Sequence, residues 1–132
     1  MNYLGIDYGE KRIGLAKGDD RLKIATPLKT VLNEAGILDE LAYIVKTEVI
    51  GKIIIGVPVS FDGKKNDFAQ KIMEFAEDVE ARTDTPVETV NEIFSSKMAA
   101  NQPRAGQSRA GKIDESSAAL ILQTYLDLAK RG

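Results

Sequence analysis

The chain contains no cysteine and no histidine. Without cysteine there are no disulfides, thiolate nucleophiles, zinc ribbons or iron–sulfur sites. Without histidine there is no Ser-His-Asp or Cys-His catalysis and no imidazole-ligated metal. Chemistry is left to carboxylates, hydroxyls, Lys, Arg, or a hard metal ion held by oxygens. Long apolar runs are lacking too, since no segment approaches the roughly 20 apolar residues that span a bilayer. The opening residues read as a strand and not as a charged-apolar-small leader. The expectation is therefore a cytoplasmic protein with no membrane association. Its 132 residues leave no room for a second lobe, so one domain over residues 1–132 is expected. Against these absences stand 43% hydrophobic and 29% charged residues, the composition of a packed globular chain.

The net charge of -2 does not advertise a nucleic-acid binder, but its distribution is uneven. Residues 66–92 carry eight acids against Lys71 and Arg82, whereas residues 96–113 carry four bases (Lys97, Arg104, Arg109, Lys112) and no acid. A local basic patch of this kind can meet phosphates despite the overall sign.

Hydrophobic periodicity orders the chain. Alternation and turn residues predict strands over 2–7, 12–17 and 22–31, the first two joined as a hairpin through Tyr8–Lys11, with Gly9 free to take positive φ. Pro27 marks the third strand as an edge or a strand end. Ile37, Leu38, Leu41, Ile44 and Val45 recur at helical spacing and predict a helix over 34–49. The unbroken apolar run of residues 51–57 is that of a central parallel strand. A second helix is expected over 66–82, a last strand over 86–90, a short helix over 94–101, a Gly/Ser/Arg loop over 102–112 and a final apolar helix over 113–128. This order describes an α/β domain with a mixed sheet and helices on its faces.

Three carboxylates stand out. Asp7 ends a buried strand ahead of a glycine turn, Glu92 follows the last strand, and Asp114 opens the last helix. Each also has a plainer reading: a turn aspartate bonded to local backbone, a solvated strand end, and a helix N-cap. Asp114, however, shares the helical stripe of Ala118, Ile121, Leu122 and Tyr125, so a helix that buries that stripe brings Asp114 towards the sheet. If the first, fourth and fifth strands are central neighbours, the three carboxylates converge. They would then repel unless cations neutralised them, and without nitrogen or sulfur ligands the fitting cations are Mg²⁺ or Mn²⁺. Two such ions about 4 Å apart activate a water and stabilise the leaving oxygen of a phosphodiester. The run Gly106–Lys112 imitates a P-loop, but Ile113 stands where Ser or Thr should hold Mg²⁺ and no apolar strand precedes it. It reads either as a flexible basic loop meeting phosphates through Arg104, Arg109 and Lys112, or as a solvated surface loop.

Five stretches, in order and over almost the whole chain, resemble the YqgF/RuvX family, the Holliday-junction-resolvase-like nucleases of ribonuclease H fold. They are Leu4–Gly9 with Lys11–Ala16, Ile55–Pro58 with Asp62 and Gly63, Val90–Glu92 with Ser95 and Ser96, Lys112–Glu115, and Ala118 and Ala119 with Leu122–Leu126. The resemblance implies a ribonuclease H-like five-stranded mixed sheet in the order 3-2-1-4-5, with strand 2 antiparallel and helices on both faces. It implies a catalytic and metal-binding set of Asp7, Glu92 and Asp114, with Mg²⁺ or Mn²⁺ bound as two ions. Substrate contacts fall to Lys11, Arg12, Ser95, Ser96, Arg104, Arg109 and Lys112. The activity it implies is hydrolysis of nucleic-acid phosphodiesters in 5′-end maturation of the 16S ribosomal RNA precursor, on structured RNA or a pre-ribosomal particle, by a monomer or weak homodimer. Resolution of four-way DNA junctions is the older association, and a ribosome-assembly module that binds nucleic acid without cleaving it is a third reading. An actin-like ATPase also opens with a Gly-x-Asp-x-Gly hairpin, but needs two lobes.

One departure is informative. The family usually reads Asp-Glu-Arg where this chain has Asn91-Glu92-Ile93. Only one of two neighbouring strand residues can face a site, so the Asn91 change bears less on metal binding. Ile93 removes a guanidinium whose phosphate contact is worth about 1–3 kcal/mol, leaving Arg104 and Arg109 as available substitutes.

Overall fold

The computed structural model describes residues 1–58, 67–91 and 114–129, with backbone alone for 114–116 and 129. Five strands and three helices are described. They are β1 (Asn2–Asp7), β2 (Arg12–Asp19), β3 (Thr26–Leu32), α1 (Ile37–Thr47), β4 (Ile50–Val57), α2 (Asp67–Thr83), β5 (Val87–Asn91) and α3 (Asp114–Ala129). The strands form one sheet in the order β3-β2-β1-β4-β5, with β2 antiparallel to both neighbours and β4 parallel to β1 and β5. Helix crossovers are what make the two parallel pairings possible.

Period-two alternation divides the sheet between two cores. Leu4, Ile6, Ile13, Leu15, Ile53, Ile55 and Val57 face α1 and α2, which supply Leu41, Ile44, Val45, Ile72, Phe75 and Val79. Tyr3, Ala16 and Ile54 face the other way, against Ala118, Ile121, Leu122 and Leu126 of α3. The second face admits small residues at its point of closest approach. A Cβ on Gly5 would stand 2.8 Å from the Leu122 Cβ and 3.0 Å from the Ala118 carbonyl oxygen, so glycine is what lets α3 lie this close to β1.

Several boundaries differ from those the sequence suggests. β2 continues through Gly18 and Asp19, and β3 begins only at Thr26. The Asp19 carboxylate accepts the Leu22 N–H at 2.8 Å and the Arg21 N–H at 3.2 Å, which closes the turn later than expected and leaves Leu22 exposed. The Leu22 N–H is the main cause holding the Asp19 carboxyl below its ordinary pKa. Helix α1 starts three residues late because Gly36, at φ 93°, turns the chain just before it. Gly36 is the only glycine at positive φ among the described residues, so Gly9 is not required for its left-handed freedom. Gly9 is required for space, since a Cβ there would collide with the Arg12 carbonyl oxygen. The expected short helix over 94–101 and loop over 102–112 lie outside the described residues.

Candidate active site

The carboxyl ends of β1, β4 and β5 lie at one end of the sheet. Ile6 pairs with Ile55 and Ile55 with Thr89, so Asp7, one residue beyond Ile6, stands level with Gly56 and Val90. Tyr3 and Gly5 face α3, and alternation places Asp7 on that same face. Val90 also packs on the α3 side, which puts its neighbour Asn91 on the opposite face. Asn91 is therefore directed away from Asp7 and α3.

Helix α3 runs antiparallel to β1. The Tyr125 ring meets Tyr3 edge-on at a centroid distance of 5.7 Å, while Ala118 lies at Gly5. Asp114 is one turn before Ala118, an advance of about 6 Å at 1.5 Å per residue. Asp7 is two strand residues beyond Gly5, an advance of about 6.6 Å. The start of α3 is thus carried to the level of Asp7. The far half of the helix is tied down by polar contacts. Gln123 accepts the Ala25 N–H at 2.9 Å and donates to the Lys23 carbonyl at 2.8 Å. The Lys52 ammonium donates to the Tyr125 hydroxyl at 3.0 Å and pairs with Glu88 at 2.6 Å. Hydrogen bonding to Glu88 first, and to Tyr125 second, raises the Lys52 pKa above the ordinary lysine value. Burial raises that of Tyr3.

The loop after Asp7 is held from both flanks. On one side the Tyr8 ring lies 4.7 Å from that of Phe75 and 5.9 Å from that of Phe68, and Glu10 pairs with Lys71 at 3.2 Å. On the other, the residue after β3 reaches back, its Asn33 side-chain amide donating to the Gly9 carbonyl at 2.8 Å and its backbone N–H to the Lys11 carbonyl at 2.9 Å. Lys11, the last residue of the loop, and Arg12, the first of β2, are exposed and have no acidic partner among the described residues. Most other described bases are paired: Lys17 with Glu48, Lys29 with Glu40, Lys52 with Glu88, Lys71 with Glu10 and Arg82 with Asp39.

Of the expected site residues, then, Asp7, Lys11 and Arg12 lie together at the β1–β2 turn, with the backbone of Asp114 approaching from α3. Glu92, Ser95, Ser96, Arg104, Arg109 and Lys112 lie outside the described residues, as does the loop containing Asp62 and Gly63. No group of three metal-ligating side chains occurs among the described residues, Glu92 lying beyond them and Asp114 being described by its backbone alone. Among the described residues no helix is long and apolar enough to cross a membrane. Sequence reasoning missed Asn33, whose only signal is an amide directly after an edge strand, and the Gln123 and Tyr125 anchors, which periodicity reads as parts of a helix face.

Known structures agree with this architecture. The fold resembles RuvC of T. thermophilus, solved in complex with a Holliday junction substrate, with a TM-score of 0.67 and 13% identity, over 100% of this chain and 96% of that one. It also resembles the fowlpox virus resolvase, solved with Holliday junction DNA, with a TM-score of 0.57 and 13% identity, over 98% of this chain and 99% of that one. At such identity the likeness is one of fold, and it defines the class as the ribonuclease H-like fold of the resolvases.

Sequence comparison narrows the class to a family. The family profile of RuvX, described as Holliday junction resolvase, matches residues 1–128. A relative from Syntrophus aciditrophicus, named "Putative pre-16S rRNA nuclease", is 39% identical over 96% of this chain and 89% of its own length. One of the same name from Pelagibacter ubique is 37% identical over 96% of this chain and 88% of its own length. The chain belongs to the RuvX family, also called YqgF, and is by class a nuclease, a hydrolase of phosphodiester bonds.

Proposed function

We propose that this chain is a divalent-metal-dependent endonuclease, working as a single domain over residues 1–132, whose substrate is the 5′ end of the 16S ribosomal RNA precursor. The observation that carries the reading is the convergence at one sheet end: Asp7 at the close of β1, β5 running out one residue before Glu92, and α3 opening at Asp114 level with Asp7. In sequence, Glu92 is the carboxylate that follows directly on Asn91, the last residue of β5. The donor set suits Mg²⁺ or Mn²⁺ in kind, being all carboxylate in a chain without imidazole or thiolate. Asp7, Glu92 and Asp114 are the residues that would hold the ions. Bound there, such ions supply an activated water and neutralise the leaving oxygen. Lys11 and Arg12, exposed and free of described acids, receive the phosphate backbone beside Asp7, with Ser95, Ser96, Arg104, Arg109 and Lys112 as further contacts. The ribosomal substrate is supported by the names of the relatives, and we extend it to a pre-ribosomal partner in the cytoplasm. The family description favours a second substrate, the four-way DNA junction.

The test uses both. Purified protein is incubated with a labelled 5′-extended precursor of the small-subunit RNA and with a labelled four-way junction, in Mn²⁺, in Mg²⁺ and in chelator. Metal-dependent cleavage of the RNA, abolished in a folded Asp7→Asn variant, is the expected result. Cleavage of the junction alone would move the substrate to DNA. Undiminished cleavage by Asp7→Asn would sink the site assignment. Metal-independent binding with no cleavage would leave a binding module, consistent with the lost guanidinium at Ile93.

A further inference from the structure

The hairpin loop after Asp7 has four residues, Tyr8 to Lys11, and a single residue distant in sequence holds two of its carbonyls. Asn33 donates its side-chain amide to Gly9 at 2.8 Å and its backbone N–H to Lys11 at 2.9 Å. The two bonds differ in consequence. The backbone bond continues the β2–β3 ladder beyond Arg12 and Leu32, and any residue at position 33 except proline can make it. The side-chain bond is specific to Asn33 and reaches the one loop residue that has no side chain of its own. A Cβ on Gly9 would stand against the Arg12 carbonyl oxygen, so the backbones of Gly9 and Arg12 run side by side across the turn and the position of one bears on that of the other.

Both ends of this loop carry groups of the candidate site. Asp7 precedes it and pairs with Gly14 across the hairpin, while Lys11 and Arg12 close it. The α2 flank is fixed by Tyr8 on Phe75 and Phe68 and by Glu10 on Lys71. That flank stops short of the two bases. The β3 flank reaches them, and the Asn33 amide is its only side-chain hydrogen bond to the loop among the described residues.

We propose that Asn33 is a positioning residue for nucleic-acid binding: through Gly9 it holds Arg12, and Lys11 beside it, at a set distance from the Asp7 end of β1. It touches no substrate itself. The proposal rests on the nuclease reading above, because it supposes that Lys11 and Arg12 meet phosphates. If Asn33 is lost, the Gly9 carbonyl turns to water, the loop samples more conformations and the bases must be ordered at each binding event.

A double-mutant cycle on the full chain tests it. Affinity for a labelled RNA hairpin and a labelled four-way junction is measured by fluorescence anisotropy in chelator, so that binding is read without cleavage. Arg12→Ala is expected to raise Kd about five- to tenfold, as loss of a phosphate contact does. Asn33→Ala is expected to raise it about threefold, and the double variant to bind worse than Arg12→Ala alone by clearly less than that factor, the remainder running through Lys11. Asn33→Gln, which keeps the amide, should recover most of the affinity. If Asn33→Ala does not fold, Asn33→Ser, whose hydroxyl is too short to reach Gly9, takes its place. A merely structural role would lower Tm and leave Kd and the coupling unchanged, and that result overturns the proposal, as would strictly multiplicative effects in the double variant. Wild-type protein that binds and cleaves, beside an Asn33→Ala variant that does both equally well, would overturn the positioning role and leave the nuclease reading standing. Wild-type protein that neither binds nor cleaves either substrate would overturn both.

Discussion

The two faces of the sheet are made differently. The α1/α2 face is lined by Leu4, Ile6, Ile13, Leu15, Ile53, Ile55 and Val57 and covered by two helices. The α3 face offers Gly5, Ala16 and Ile54, with Tyr3 at one end, to a single helix. Large branched side chains bury more apolar area per residue and keep their helices at a distance. Glycine and alanine bury little and let a helix backbone approach. The first face therefore supplies most of the burial, while the second sets where α3 begins. The candidate site lies on the second face, where Asp7 and the start of α3 meet.

Three substitutions separate these contributions. The largest loss of stability is expected from Ile55→Ala, at a fully buried position of the α1/α2 face. Deleting those methyl groups should cost about 2–5 kcal/mol, read from urea unfolding. Cleavage measured well below the midpoint should change little, because α3 and Asp7 are untouched. Gly5→Ala is expected to cost less, about 1–3 kcal/mol, since a Cβ 2.8 Å from Leu122 must push α3 outward. Its cleavage rate should nevertheless fall further than that of Ile55→Ala, because the push is delivered one turn from Asp114. Were Ile55→Ala the poorer nuclease at equal fraction folded, the division between the faces would be wrong.

The smallest effect belongs to the polar anchor at the far end of α3. Lys52 gains Glu88 and Tyr125 on folding, and its pKa is raised. A group with a raised folded pKa contributes stability that is fully present below its unfolded pKa and is lost as pH rises through the folded one. The contribution should be constant through neutral pH and fade only above about pH 10. With Lys52 29% and Glu88 47% exposed, Glu88→Gln should cost less than about 1 kcal/mol at pH 7. It should also flatten the alkaline limb of a stability–pH profile. An unchanged limb in Glu88→Gln would show that the anchor is apolar, through Tyr3 and Tyr125, and not ionic.

How far the sequence reaches can be seen residue by residue. The runs at 2–7 and 51–57 read as buried strands because they are short, apolar and bounded by glycine or turn residues, and both lie in the sheet interior. The stripe of Ala118, Ile121 and Leu122 identifies the buried side of the last helix for the same reason. Boundaries were less legible at Asp19 and Gly36. There a side-chain oxygen on Leu22 N–H and a glycine at φ 93° decide where strand and helix stop, and neither leaves a periodic trace. Gly9 shows the same limit differently: the composition of the turn suggested a conformational need, and the structure shows a steric one.

By itself the sequence determined the chemistry that is possible: carboxylates and bases without imidazole or thiolate, on an α/β pattern whose motifs resemble one nuclease family. Periodicity carries this much because burial is decided locally, residue by residue, along each element. Only the tertiary structure decided which of these groups meet. That β1 lies between β2 and β4, that α3 runs antiparallel to β1 so that Asp114 returns to the level of Asp7, and that Asn33 reaches back to Gly9 are all contacts between residues far apart in the chain. The physical reason is that such pairings follow from packing two faces of one sheet at once, and no local stretch of sequence encodes the partner it will find there.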